Sequence, residues 1–146
     1  MLVPFLIAMF LAINMGGSGT GPSFSAAYGA NAIRKSLIPG LFGIMVFLGA
    51  VIAGKGTANT VGTGIINPNL INNVVISIVL FSVAISLLIA NLVGIPQSTS
   101  QSTIFALVAP GIYFKDFNPT KLFYDIIPTW VILPIISLLL CFIIGK

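Results

Sequence analysis

Apolar residues run uninterrupted by charge over positions 37–54, 70–92 and 126–144. A helix rises about 1.5 Å per residue, so about 20 apolar residues cross the hydrocarbon of a bilayer. Each of the three runs meets or approaches that length and predicts a spanning helix. A shorter apolar run, 2–13, reaches only about 18–20 Å. It is expected to stop partway across, or to pair with 24–32 as a hairpin or broken helix. A fifth stretch, 95–112, either crosses the membrane or dips in and returns. Lipid satisfies no backbone donor or acceptor, and the alternating pattern of a membrane barrel is missing, so the spans are helices. The pattern predicts an all-α, polytopic transmembrane protein.

Composition agrees. The 146 residues are 58% hydrophobic and 5% charged, against roughly 25% charged in soluble domains, and the mean hydropathy is +1.16. The net charge of +4 comes from Arg34, Lys35, Lys55, Lys115, Lys121 and Lys146 against Asp116 and Asp125. These fall almost wholly in the predicted connections, as interfacial anchors and not as a nucleic-acid surface. If 95–112 returns, Arg34, Lys35, Lys115 and Lys121 share one side; if it crosses, Lys115 and Lys121 change sides and the bias nearly vanishes. Orientation therefore stays open. The first apolar run has no basic residue before it and reads as a structural helix, not a cleaved signal. Met1 and Lys146 read as natural ends, and Cys141 as a small core or lipid-facing residue. With no His, no Glu and only two Asp, metal centres, carboxylate pairs and His-based triads are excluded, and the chain reads as a non-enzyme without a cofactor.

Two polar patches interrupt this apolar sequence. In the first, positions 14–25 (NMGGSGTGPSFS), Gly16, Gly17, Gly19, Gly21 and Pro22 disfavour a helix interior by about 1 kcal/mol per Gly and about 3 for Pro. A break is expected there, aiming helix N-terminal N–H groups at whatever fills the gap, an environment suited to a small anion. Close packing of helices through small residues is the alternative. In the second, positions 94–103 (GIPQSTSQST), Pro96 fits a first helical turn, and Ser98, Thr99, Ser100, Gln101, Ser102 and Thr103 form a polar run ahead of an apolar helix. An ordinary serine-capped start is the alternative. Two such patches heading short helices are the mark of a transporter site built from discontinuous helices. A third Gly/Thr-rich piece, 54–64, reads as a loop; its GKGT lacks phosphate-loop spacing.

At these patches the chain resembles the inorganic phosphate transporter (PiT) family, which includes related sulfate permeases. That family carries N-I-G-A-N-D-x-A-N-x-x-G near the start of each half and G-x-P-x-S-T-T-H-S later. Asn14-Met15-Gly16-Gly17-Ser18-Gly19 lies over the first motif, and Gly94-Ile95-Pro96-Gln97-Ser98-Thr99-Ser100-Gln101-Ser102 over the second. The intervening LGAVIAGK and the closing WVILPIISLLL also look like a PiT half, so the likeness covers nearly the whole chain. Ser18 and Gly19 stand where the family has Asn-Asp, Pro22 replaces its next Asn, and Gln101 replaces its His.

The resemblance implies a single transmembrane domain over 1–146, one inverted-repeat half of a PiT-like transporter with broken or re-entrant helices. It implies a transporter subunit moving phosphate or sulfate by alternating access, in the cell membrane. The oxyanion is expected on Gly16, Gly17, Ser18, Ser98, Thr99, Ser100 and Ser102, with Asn14, Thr20 and Gln101 as coupling-ion or supporting residues. A coupling Na⁺ or H⁺ is implied by the family. Gly19 leaves Na⁺ without a carboxylate ligand, so sodium is the less favoured of the two. A single repeat would leave its polar patches facing lipid at several kcal/mol per unsatisfied group. A second half-repeat is therefore expected, as an antiparallel copy of this chain, a separate companion, or the rest of a longer chain of which this is a fragment. Sulfate has no proton to donate whereas phosphate does, so the absence of a carboxylate leans towards sulfate. A non-transporting scaffold and a passive anion channel are the alternative functions.

Overall fold

The computed structural model describes residues 2–144, with no side chain described for 57–64 or 68; Met1 and Lys146 lie outside it. Among the described residues five α-helices follow one another: α1 (Leu2–Gly29), α2 (Ile38–Gly64), α3 (Asn73–Val93), α4 (Thr99–Tyr113) and α5 (Ile127–Ile144). Short 3-10 turns, Lys35–Leu37 and Pro68–Leu70, precede α2 and α3, and a π-helical turn, Lys121–Ile126, leads into α5. Four helical stretches, Leu2–Gly29, Lys35–Gly56, Asn73–Val93 and Lys121–Ile144, are long and apolar enough to cross a membrane. The chain is an all-α, polytopic integral membrane protein, with helices over the three runs read from hydropathy.

Two expectations about breaks are corrected. The first patch does not interrupt its helix, because α1 runs continuously from Leu2 to Gly29 with Pro22 inside it. Glycine lowers helix propensity by comparison with Ala in water, but in lipid the alternative to the helical ladder is an unsatisfied backbone, which costs more. For the same reason α2 does not end at Gly54 but continues to Gly64, so the expected loop 54–64 is helical. The second patch does divide helices. Gly94, at φ +76°, ends α3 in the left-handed conformation that Gly adopts without a Cβ penalty. The N–H of Ile95 then closes the helix end by donating to the Ala90 carbonyl at 2.9 Å.

Packing fixes the directions. Leu11 of α1 packs with Val83, Ala84 and Leu87 of α3, and three residues further along α1, Asn14 meets Asn91. α1 and α3 therefore run parallel, and α2 is the return between them. The end of the bundle where α1 passes to α2 is here the upper end, and that where α2 passes to α3 the lower. α4 descends antiparallel to α3: Gln97 lies beside Ser86, and Pro110 and Tyr113 line a groove with Asn72 and Val75. A lower core of Ile65, Ile66, Val75, Val79, Ile104, Leu107 and Leu122 holds α3, α4 and the start of the last span together. Loops seal that end, where the Asn67 N–H donates to Asp116 Oδ2 at 3.0 Å and the Asn118 N–H to the Ile65 carbonyl at 3.3 Å.

Segment 95–112 thus runs from the upper end back towards the lower, as a short non-helical piece followed by α4, which places Lys115 and Lys121 at the lower end. α5 climbs back with Trp130 against Phe105, ring centroids 5.9 Å apart. None of its residues is buried, and most large apolar side chains of α2 are exposed too. Both helices present hydrocarbon-compatible faces to lipid or to a neighbouring protein.

Candidate functional site

α4 begins in an unusual place. Its start lies beside Ser86, seven residues before Val93, so its first turn sits about 10 Å inside the upper end of α3. Residues 95–98 make the descent outside any helix, with Ser98 extended, and Pro96 gives up no N–H in doing so. The Ser98 side chain then caps the helix, accepting the Gln101 N–H at 3.4 Å. The N–H groups of Thr99 and Ser100 precede the intrahelical ladder, and the helix dipole adds its positive end.

The Gly-rich middle of α1 faces this turn. The Ser18 hydroxyl donates to the Gln97 carbonyl at 3.4 Å, and a cleft of about 630 Å³ opens between α1, α2 and the head of α4. Gly16, Ser18, Ser98 and Thr99 line it together with Gly19, Pro22, Phe42 and Gln97, and no charged side chain does. Pro22 lacks the N–H that would bond the carbonyl four residues back, so the Ser18 C=O is released from the ladder at the same wall. The cleft therefore combines hydroxyls and a helix N-terminus as donors with one freed carbonyl as an acceptor. A Cβ on Gly19 would stand 3.0 Å from Cζ of Phe42, whose ring fills the space beside it.

The other residues singled out from the sequence are distributed around this cleft. Gln101 and Ser102 line a second cleft of about 410 Å³ beside α4, shared with Ser82, Ser86 and Phe105. Gly17 turns towards α3, where an added Cβ would meet Asn91 Nδ2 at 3.6 Å. Ser100 is exposed and lines neither cleft. Asn14 is buried between α1 and α3: its Nδ2 donates to the Phe10 carbonyl at 2.9 Å, and its own carbonyl accepts from Asn91 Nδ2 at 3.0 Å. The Thr20 hydroxyl donates to the Gly16 carbonyl at 2.6 Å. Because α1 is continuous, only one helix N-terminus, that of α4, meets the cleft. Among the described residues no group of three or more His, Cys, Asp or Glu is placed to hold a metal.

Sequence reasoning passed over Gln97, Ser86, Asn91 and Phe42. Gln97 falls on the unspecified position of the second motif, although an amide between Pro96 and a run of hydroxyls is itself a signal. The other three lie in apolar stretches where pairing partners are set by helix packing.

A family model for the phosphate transporter family matches residues 15–146. The sulfate permease CysP of Bacillus subtilis is 36% identical over 148 residues, covering 99% of this chain and 41% of that protein. Candidate phosphate permeases of Thermococcus kodakarensis and Pyrococcus furiosus are 28% and 31% identical, over 100% of this chain and 38% and 37% of their own lengths. The chain thus spans about two fifths of the relatives it matches. No solved structure gives a significant match. With most of its length matched by the family model, and both polar patches inside the match save Asn14, the chain belongs to the phosphate transporter family.

Proposed function

We propose that this chain is one half-repeat of a permease that carries a small inorganic oxyanion, phosphate or sulfate, across the cell membrane by alternating access, without chemical conversion of its cargo. The observation that carries the reading is the uncharged cleft facing the submerged start of α4, where Ser18, Ser98 and Thr99 converge. An oxyanion there is held by hydroxyls, by first-turn N–H groups and by the helix dipole. Without a Lys or Arg to trap it, the anion is released as readily as it is captured. The freed Ser18 carbonyl gives a protonated phosphate an acceptor, so the cleft suits hydrogen phosphate as well as sulfate. With Gly19 and Phe42 beside it, the cleft offers no carboxylate to Na⁺, and a proton is the coupling ion that its chemistry favours.

The single domain needs a second half-repeat, whether an antiparallel copy, a companion or the remainder of a longer chain, to close the cleft and keep its polar groups from lipid. The test is radiolabelled phosphate and sulfate uptake into proteoliposomes, with sodium and proton gradients imposed separately. Saturable uptake is expected from the assembled carrier and near-complete loss from Ser98→Ala/Thr99→Ala, with helical content unchanged. Uptake that survives the double substitution removes these residues from the site.

A further inference from the structure

The two clefts meet at the head of α4. The first runs along α1 from Ala12 past Ser18 to Pro22 and Ser23, reaching furthest towards the upper end; the second extends down α3 and α4 to Ser82 and Phe105, towards the lower end. Gln97 and Ser98 are the residues that line both.

The amide of Gln97 is also tied on both flanks. Its Nε2 lies 2.7 Å from Ser86 Oγ on α3 and 2.7 Å from Ser102 Oγ on α4. The Ser102 hydroxyl gives its own proton to the Ser98 carbonyl at 2.9 Å, so towards Gln97 it acts as an acceptor. That fixes which end of the amide faces the serines: both N–H groups of Gln97 are engaged, one to each helix. The side chain spans the junction like a bar across a doorway, fastened by two bonds of ordinary strength and carried on flexible torsions.

We infer that Gln97 is a gate between an upper and a lower half-channel: with its amide tied to Ser86 and Ser102 the clefts are separate, and when it lets go they join into one path along the bundle. Both bonds are made within the chain, so the gate swings on side-chain rotation with the helices in place. Its use in carrying an oxyanion rests on the permease reading above, whereas its sidedness is measurable without any anion.

The test is labelling with a charged, membrane-impermeant thiol reagent, applied to each side of reconstituted vesicles in turn. Cys141→Ser removes the one native thiol, and Ser82→Cys places a reporter in the lower cleft. With Gln97 present, the reporter is expected to label preferentially from the lower side. Gln97→Ala should raise labelling from the upper side by about tenfold or more, the population change that follows the loss of two hydrogen bonds. Ser102→Ala, which removes one of the two, should give a smaller rise. A parallel Ala84→Cys reporter, at a fully buried position, should stay silent throughout. The gate is overturned if sidedness at position 82 does not change in Gln97→Ala, if Ser82→Cys stays unlabelled from both sides, or if Ala84→Cys labels as fast as Ser82→Cys. Loss of transport with intact sidedness control would count against the oxyanion reading and leave the gate standing.

Discussion

Leu87→Ala tests what holds α1 against α3. Leu87 is fully buried, and it packs with Leu11, Val83 and Ala84 at the contact of the two parallel helices. One turn further along, Asn91 donates to the Asn14 carbonyl at 3.0 Å, so a packing contact and a polar contact stand side by side on the same interface. In water a buried Leu→Ala costs about 2–5 kcal/mol, part transfer and part cavity. In a bilayer the separated helices still face hydrocarbon, so the transfer share of three buried carbons, about 0.8 kcal/mol each, drops out. What remains is the lost packing, about 1–2 kcal/mol. An interhelical hydrogen bond in a membrane averages about 0.6 kcal/mol, so Asn91→Ala should cost less. Unfolding in mixed micelles, followed by helical content, measures both differences. An Asn91→Ala cost equal to or above that of Leu87→Ala would refute the reasoning and make the polar contact the main tie.

Gly94→Ala places a Cβ at φ +76°, and about 1 kcal/mol of lost stability is expected although the space around it is open; the same micelle unfolding reads it. At Gly111, a Cβ would meet Ile66 Cγ1 at 3.2 Å and Phe117 Cβ at 3.4 Å. Gly111→Ala should therefore be tolerated with a small shift, whereas Gly111→Leu should cost about 1–3 kcal/mol by overpacking the lower core, visible as a lower yield of folded protein in detergent. Asp116→Ala removes the acceptor of the Asn67 N–H at an exposed loop and should cost about 1 kcal/mol or less, with faster amide exchange confined to the lower loops.

Helices α2, α3 and α5 were legible because a charge-free run of spanning length has one outcome in lipid. The second patch was legible in outline: a Gly and a hydroxyl run end one helix and cap the next, as Gly94 and Ser98 do, but Pro96 stands in the link before α4 and not in its first turn. The first patch misled because propensity measured in water does not govern a segment whose broken backbone would have nothing to bond. The same error shortened α2 at Gly54. The direction of 95–112 was undecidable from hydropathy, since it is set by Gln97 reaching Ser86 and by Leu107 joining Val75 and Val79. Ser18 and Gly16 were placed by the motif; the residues opposite them, Phe42 and Gln97, come from chain segments that only folding brings near.

The parallel arrangement of α1 and α3 has a consequence for biosynthesis. Asn14 and Asn91 are 77 positions apart, and ribosomes add about 5–20 residues per second. For roughly 4–15 s after Asn14 is made, its eventual partner does not exist. During that interval α1 sits in the bilayer with its asparagine, serines and freed carbonyl turned towards lipid or towards the insertion machinery. A factor that shelters a marginally polar helix until the third one arrives would protect the nascent chain through that interval.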